Sequence, residues 1–409
     1  MSSSKPSAVT HYIWAAGLGI AVAVLFVVFE WVVKDGTDYI WNDVVNSDEV
    51  RWRVLPLAII LGLVFGWLLK LTKQKRLPPI ETDFTASHGA PGPVSLQDLG
   101  IIFAVGAVSL LAGASLGPEA SLVALCSGFG VWVAGKAGMQ DKQQLLLLCG
   151  VGALLVAFFG SLVPAVIPLL LLKQSKKLSV ERAALIGVSA LSTYGAIWLI
   201  KGKVHGWGGI PASVHFSLRD YVLAFVLGIL TALAATWLHR LIKRFAPITK
   251  NIYDRTHWLV TAGIFGGVIG LLYLIGGQTV QFNGSAGSSM LVHNHAEYGT
   301  LALAGLVIIK IIATAWSLAA GYRGGLVFPS VYTGVALSLF VGSLADGFGG
   351  AGTMIGAIAG IFAALTTPAL GLVMLISILP IKLLGLAVAG VIGAALAKKL
   401  LSGGAKQPA

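Results

Sequence analysis

The chain has 409 residues, of which 56% are hydrophobic and only 11% charged, against about a quarter charged in an ordinary soluble domain. That balance excludes a soluble globular protein. The net charge of +12 does not mark a nucleic-acid binder, because the basic residues fall in short loops between apolar runs and form no single stripe.

Taken in chain order, residues 1–10 read as an N-terminal tail. The apolar run Tyr12 to Val33 is too long for a signal-peptide core and is followed by many more, so it reads as a retained first helix. Further runs follow at Val54 to Leu71, Leu99 to Leu116, Leu145 to Leu172, Ala183 to Ile200, Tyr221 to Leu241, Leu259 to Ile275 and Leu301 to Ala320. A nearly unbroken stretch then extends from Leu326 to Leu396. At about 20 apolar residues per crossing, this predicts an all-α polytopic membrane protein.

Lysine and arginine bias sets the expected orientation. Lys70, Lys73, Lys75 and Arg76, then Lys173, Lys176, Lys177 and Arg182, then Arg240, Lys243, Arg244, Lys250 and Arg255 predict cytoplasmic loops. The acidic segment Asp35 to Glu49 and the linker around Lys201 to Arg219 are expected outside, which places the N-terminus in the cytoplasm of a multi-pass cell-membrane protein. The expected organisation is a first membrane half over 11–200, a linker over 201–220, a second half over 221–400 and a tail over 401–409.

Several apolar runs are interrupted by Gly or Pro at matching places. Gly117-Pro118-Glu119 is expected to open a short helix reaching Gly130, and about 45 residues later Val163-Pro164-Ala165 lies within another apolar helix. Gly324-Gly325-Leu326-Val327-Phe328-Pro329 opens a similar helix reaching Gly342, and about 40 residues on comes Thr367-Pro368-Ala369-Leu370. Paired breaks of this kind signal an internal repeat with a transport site at its interface, because broken helices in lipid persist only where protein or a polar cavity meets the freed backbone groups. The plain alternative for any single glycine is close helix packing.

The first N–H groups of a broken helix lack intrahelical partners and carry partial positive charge, so two such ends meeting in the membrane make an anion site without a full formal charge. Gly117, Pro118, Glu119 and Ala120 are expected to form one end, and Gly325, Leu326, Val327 and Phe328 the other. Glu119 suits an ordinary first-turn position, but a carboxylate inside an apolar stretch is costly and is a functional candidate. As a tethered anion it would compete for the same N–H groups and leave when protonated.

These motifs resemble the CLC family of chloride channels and chloride/proton exchangers. Gly113-Ala114-Ser115-Leu116-Gly117-Pro118-Glu119-Ala120 is similar to the family's gating-glutamate motif G-[KR]-E-G-P, with Pro118 for the basic residue, Ala120 for the second Gly and Ser121 for the Pro. Gly324 to Pro329 resembles the anion motif G-x-F-x-P, Lys310 falls fourteen residues before Gly324 where a basic residue is common, and Gly276-Gly277-Gln278 resembles a further glycine turn. The resemblance spans about Val54 to Lys399. It implies an inverted-repeat bundle of spanning and broken helices, a homodimer with one pore per subunit, and transport of chloride or similar small anions gated by Glu119, with or without protons moving in exchange.

The departures bear on mechanism. The family's motif G-S-G-I-P should fall near Leu77 to Thr82, which reads Leu-Pro-Pro-Ile-Glu-Thr, so the serine hydroxyl ligand cannot be carried over. Lys173 or Gln174 stands where exchangers carry an internal proton-transfer glutamate. The family's C-terminal helix with an anion-coordinating Tyr has no clear counterpart, and no regulatory domain fits after Lys398-Lys399. A carrier is the first expectation, a passive channel the alternative, and a membrane enzyme or scaffold the third class, although no nucleophile, metal or acid/base set stands out.

Among other candidates, Lys310 suits either a pore-lining cation or a partner for helix carbonyls, and Arg323 either an aid to anion entry or an interfacial anchor. His293, His295 and Glu297 lie near an Asn-Gly-Ser-rich segment and read as surface residues before metal ligands. Cys126 and Cys149 read as packing residues, and no cofactor is expected: no Walker loop supports ATP-driven transport.

Overall fold

The computed structural model describes residues 8–45, 52–72, 94–174, 177–202, 216–346, 348–366, 368–376, 379 and 381–402. Fifteen α-helices carry these residues: α1 (Ala8–Val45), α2 (Val54–Leu71), α3 (Leu96–Leu111), α4 (Glu119–Lys136), α5 (Gln143–Phe159), α6 (Val166–Gln174), α7 (Val180–Lys201), α8 (Leu218–Arg255), α9 (Trp258–Gly276), α10 (Ser285–Asn294), α11 (Thr300–Ala319), α12 (Val327–Gly342), α13 (Ala351–Leu365), α14 (Pro368–Ile376) and α15 (Leu384–Ser402). Eight stretches among the described residues are long and apolar enough to cross a membrane, and α3, α12 and α13 are shorter apolar helices.

Local chemistry fixes several helix starts. Ser95 Oγ accepts from Asp98 N at 3.1 Å while Ser95 N donates to Asp98 Oδ2 at 2.9 Å, closing a capping box on α3. Ser217 N donates to Asp220 Oδ2 at 2.8 Å at the start of α8. At the starts of α5 and α7, Lys142 Nζ meets both Glu181 Oε1 at 2.6 Å and His11 Nδ1 of α1 at 2.9 Å.

The helices fall into two corresponding runs. Helices α1 and α8 are both 38 residues long. In the first run α1 packs on α5 and α7, and α4 on α5; in the second α8 packs on α13 and α15, and α12 on α13. Helices α2 and α9 join the runs directly. There a side chain at Gly62 would press within 2.9 Å of Gly266 Cα, and this close backbone approach replaces hydrophobic burial as the source of association in lipid. One large apolar core spans both runs.

Some boundaries differ from those the sequence suggests. The acidic segment after Asp35 is helical to Val45, because an established helix absorbs isolated Asp residues at modest cost per residue. Helix α4 does not stop at Gly130 but continues to Lys136; Gly130 lies inside it, where a Cβ would come within 2.7 Å of Leu146 C on α5. Val163-Pro164-Ala165 is not inside an α-helix. Helix α5 ends at Phe159, Gly160 turns left-handed at φ 64°, and a 3-10 turn over Val163–Ala165 leads into α6. The run Leu326 to Leu396 resolves into α12 to α15. The expected linker is helical at both ends, through Lys201 in α7 and from Leu218 in α8, and 203–215 lie outside the described residues, as do Leu77 to Thr82.

Candidate anion site at two joined helix ends

The loops that end α3 and α11 are built alike. Each carries the sequence Ser-Leu-x-Ala-Gly, Ser109 to Gly113 and Ser317 to Gly321, 208 positions apart. Gly113 and Gly321 adopt φ of 87° and 89°, a region that favours glycine, and reverse the chain at the same point. Ala114 N bonds Ser109 O, and Tyr322 N bonds Ser317 O in the same manner.

The loops then bind each other. Gly117 N donates to Gly325 O at 2.9 Å and Gly325 N to Gly117 O at 2.7 Å, an antiparallel bridge between corresponding residues. Ser109 Oγ accepts from Arg323 N at 2.7 Å and donates to Arg323 O at 2.9 Å. Reciprocally, Ser317 Oγ accepts from Ser115 N at 3.0 Å and donates to Ala313 O at 2.8 Å. Arg323 is the counterpart of Ser115, so a local two-fold axis passes between Gly117 and Gly325. These serines were not singled out by their residue type; the repeated Ser-Leu-x-Ala-Gly string was the available signal.

The clamp holds the starts of α4 and α12 together and corrects the expected donor set. The N–H groups of Gly117 and Gly325 are spent on each other, and Pro118 has none, so these three residues shape the site without offering it a donor. The first-turn N–H groups outside the clamp belong to Glu119 and Ala120 on α4, and to Leu326, Val327 and Phe328 at α12.

Glu119 is the first residue of α4 and only 4% exposed. Its Oε1 accepts from Phe328 N at 3.0 Å, so the carboxylate sits on the helix end of the opposite repeat. Oε2 has no hydrogen-bond partner among the described residues, nor has Ser121 Oγ two residues on. A cavity of about 10 Å³, close to the least that holds one water, is lined by Glu119 together with Val123, Leu154, Leu155, Phe158, Phe159 and Val327. Phe158 in turn meets Phe328 edge-on at 5.6 Å. The carboxylate thus lies between backbone donors and an apolar wall.

Lys310 is fully buried in α11, where its ammonium donates to Val280 O at 3.0 Å and Phe282 O at 2.7 Å and lies over the Tyr332 ring. Of the two roles the sequence left open, this geometry matches the partner for carbonyls. Phe282 holds φ 53°, and its N–H donates to Tyr273 Oη, which itself donates to Gly113 O at 2.7 Å. Lys310 therefore braces the first loop through an intermediate turn. Arg323 is bound through its backbone and is 8% exposed. His293 and His295 are exposed, and their Nδ1 atoms contact carbonyls of Ser289 and Val292. Lys173 is exposed at the end of α6. Cys126 and Cys149 are buried thiols.

Comparison with known proteins agrees with this architecture. The "Putative ion-transport protein YfeO" of Escherichia coli, in strain UMN026 and again in strain 55989, is 23% identical over 346 residues, covering 80% of this chain and 78% of the relative. A solved CLC-type fluoride/proton antiporter superposes with TM-score 0.76 at 14% identity, covering 95% of each chain. A slow cyanobacterial Cl-/H+ antiporter gives TM-score 0.75 at 17% identity, covering 98% of each. These likenesses establish an all-α, CLC-type bundle of spanning and broken helices. The family described as voltage gated chloride channel matches residues 58–399, and the chain belongs to that family.

Proposed function

We propose that this protein carries chloride or a similar small anion across the membrane in exchange for protons, with Glu119 as both gate and proton acceptor. The observation that carries this reading is the hydrogen bond from Phe328 N to Glu119 Oε1. It puts a carboxylate, itself an anion, on the donors that a transported anion needs. Backbone N–H groups and helix dipoles hold an anion without a full counter-charge, which keeps binding reversible.

While Glu119 is ionised, it occupies the α12 donors and excludes other anions. Protonation removes the charge that the helix end attracts, so the side chain leaves and an anion takes its place. Deprotonation and return of the carboxylate expel the anion. One proton and the anion thus use the same position in alternation, and proton-coupled exchange in both solved relatives named above supports this cycle here.

A passive channel is the second reading, favoured by Lys173 or Gln174, neither of them an acid, where the resemblance calls for an internal carboxylate. Reconstituted liposomes with an imposed chloride gradient as the sole driving force separate the two, with internal pH recorded beside chloride efflux. Uphill proton movement that vanishes in Glu119→Ala supports exchange. Chloride flux without proton movement selects the channel, and unchanged fluxes in both Glu119→Ala and Glu119→Gln overturn the gate.

A further inference from the structure

Two kinds of glycine occupy the joined loops, and only one is explained by the chain reversal. Gly113 and Gly321 are needed for their positive φ. Gly117 and Gly325 have no such backbone, so an alanine is conformationally allowed at both. What forbids a side chain there is Glu119. A Cβ at Gly117 would lie 2.5 Å from Glu119 Cδ and closer still to both carboxylate oxygens. A Cβ at Gly325, from the other repeat, would strike Oε2 and lie 3.0 Å from Glu119 Cβ.

Resting on the gate reading, we propose that Gly117 and Gly325 are positioning residues that form a bare backbone seat for the Glu119 carboxylate, and that a methyl group on either keeps the gate open with the acid still present. The clamp between the two glycines makes this seat rigid. Their mutual hydrogen bonds fix both Cα atoms against each other, so the added methyl cannot be relieved by separating the loops without breaking the bridge. The movable party is the end of the Glu119 side chain, whose Oε1 accepts from Phe328 N and whose Oε2 has no partner among the described residues. Gly324 is the contrasting neighbour, because a Cβ there would meet Leu116 Cβ at 2.5 Å and Gly117 O at 2.7 Å, groups that belong to the clamp itself.

The test uses the full chain in liposomes, with anion efflux and internal pH recorded, and thermal unfolding measured in detergent. Gly117→Ala, Gly325→Ala, Gly324→Ala and Glu119→Ala are compared, together with the double variants that join Glu119→Ala to Gly117→Ala and to Gly324→Ala. The expected result is that Gly117→Ala and Gly325→Ala match the anion flux of Glu119→Ala within about twofold and move no protons uphill, and that the Gly117→Ala double variant adds nothing to Glu119→Ala. If Gly117→Ala lowers the unfolding temperature, removal of the carboxylate in its double variant restores it, because the atoms its methyl would meet first all lie beyond Glu119 Cβ, whereas Gly324→Ala gains nothing from that removal. Wild-type flux and coupling in both glycine variants would overturn the seat. So would a Gly117→Ala double variant that is slower or less stable than Glu119→Ala alone, since the methyl then acts on the clamp. Failure of the gate reading is seen separately, as Glu119→Ala behaving like wild type, and it removes the seat with it.

Discussion

The loop before α4 and the loop before α12 are near copies with one decisive difference. Both begin with Ser-Leu-x-Ala-Gly, reverse at a left-handed glycine, and hand a backbone N–H to the serine of the other. The first residue of α4 is Glu119, whereas the corresponding first residue of α12 is Val327. The architecture is symmetric and the chemistry is not. A carboxylate in one copy only places one competing anion across the axis on the donors of the other copy. An acid in both copies would set two like charges within one buried site, which strongly disfavours ionising both.

This comparison is broken or sharpened by substitutions at matched positions. The largest expected effect on anion binding is that of Glu119→Ala set against Val327→Ala. A hydrogen bond to a charged group contributes about 1.5–3 kcal/mol, so loss of the competing carboxylate should tighten anion occupancy by roughly tenfold to a hundredfold. Halide titration of the purified protein reads this, and Val327→Ala should stay near wild type. Equal effects from both would remove the asymmetry.

Next comes Lys310→Met, which has no matched brace in the first half, where the corresponding residue is Ile102. It leaves the carbonyls of Val280 and Phe282 unpaired, at a cost of about 1–3 kcal/mol for each buried group. A marked fall in unfolding temperature is expected, and an unchanged one would deny that Lys310 holds the turn. Smaller is the pair Ser109→Ala and Ser317→Ala. The first strips both the N–H and the C=O of Arg323 and the second only the N–H of Ser115 from the opposite loop, so Ser109→Ala should unfold at the lower temperature. The reverse order would show that the second bond Ser109 makes across the axis adds no stability.

The smallest effect belongs to the reversing glycines. Gly321→Ala meets nothing within 4 Å and carries only the left-handed backbone cost, about 1–2 kcal/mol. Gly113→Ala also presses on Trp41 Cζ2 at 3.0 Å, so thermal unfolding should show the larger loss there.

Much of this was legible along the chain. Long apolar runs announce spanning helices because lipid admits few other ways to satisfy a backbone. The Gly-Pro and Gly-Gly breaks announce the joined helix starts, and Glu119 stands out as a carboxylate in an apolar stretch. Gly130 was misleading, since glycine signals a helix end and a close helix contact equally well. The donor assignment of Gly117 and Gly325 failed for a different reason: two free N–H groups brought face to face with two free carbonyls satisfy one another first.

The sequence alone therefore determined the membrane setting, the broken helices, the duplicated loops and the place of the buried carboxylate Glu119 at a helix start. These are properties of neighbouring residues, set by burial in lipid and by the backbone limits of Gly and Pro. Only the tertiary structure decided that Glu119 rests on Phe328, 209 residues away, that Ser109 and Ser317 exchange partners across an axis, and that Lys310 is consumed by two carbonyls. Those pairings have no local signature, because which donor meets which acceptor follows from how two folded repeats pack, and no segment carries that information by itself.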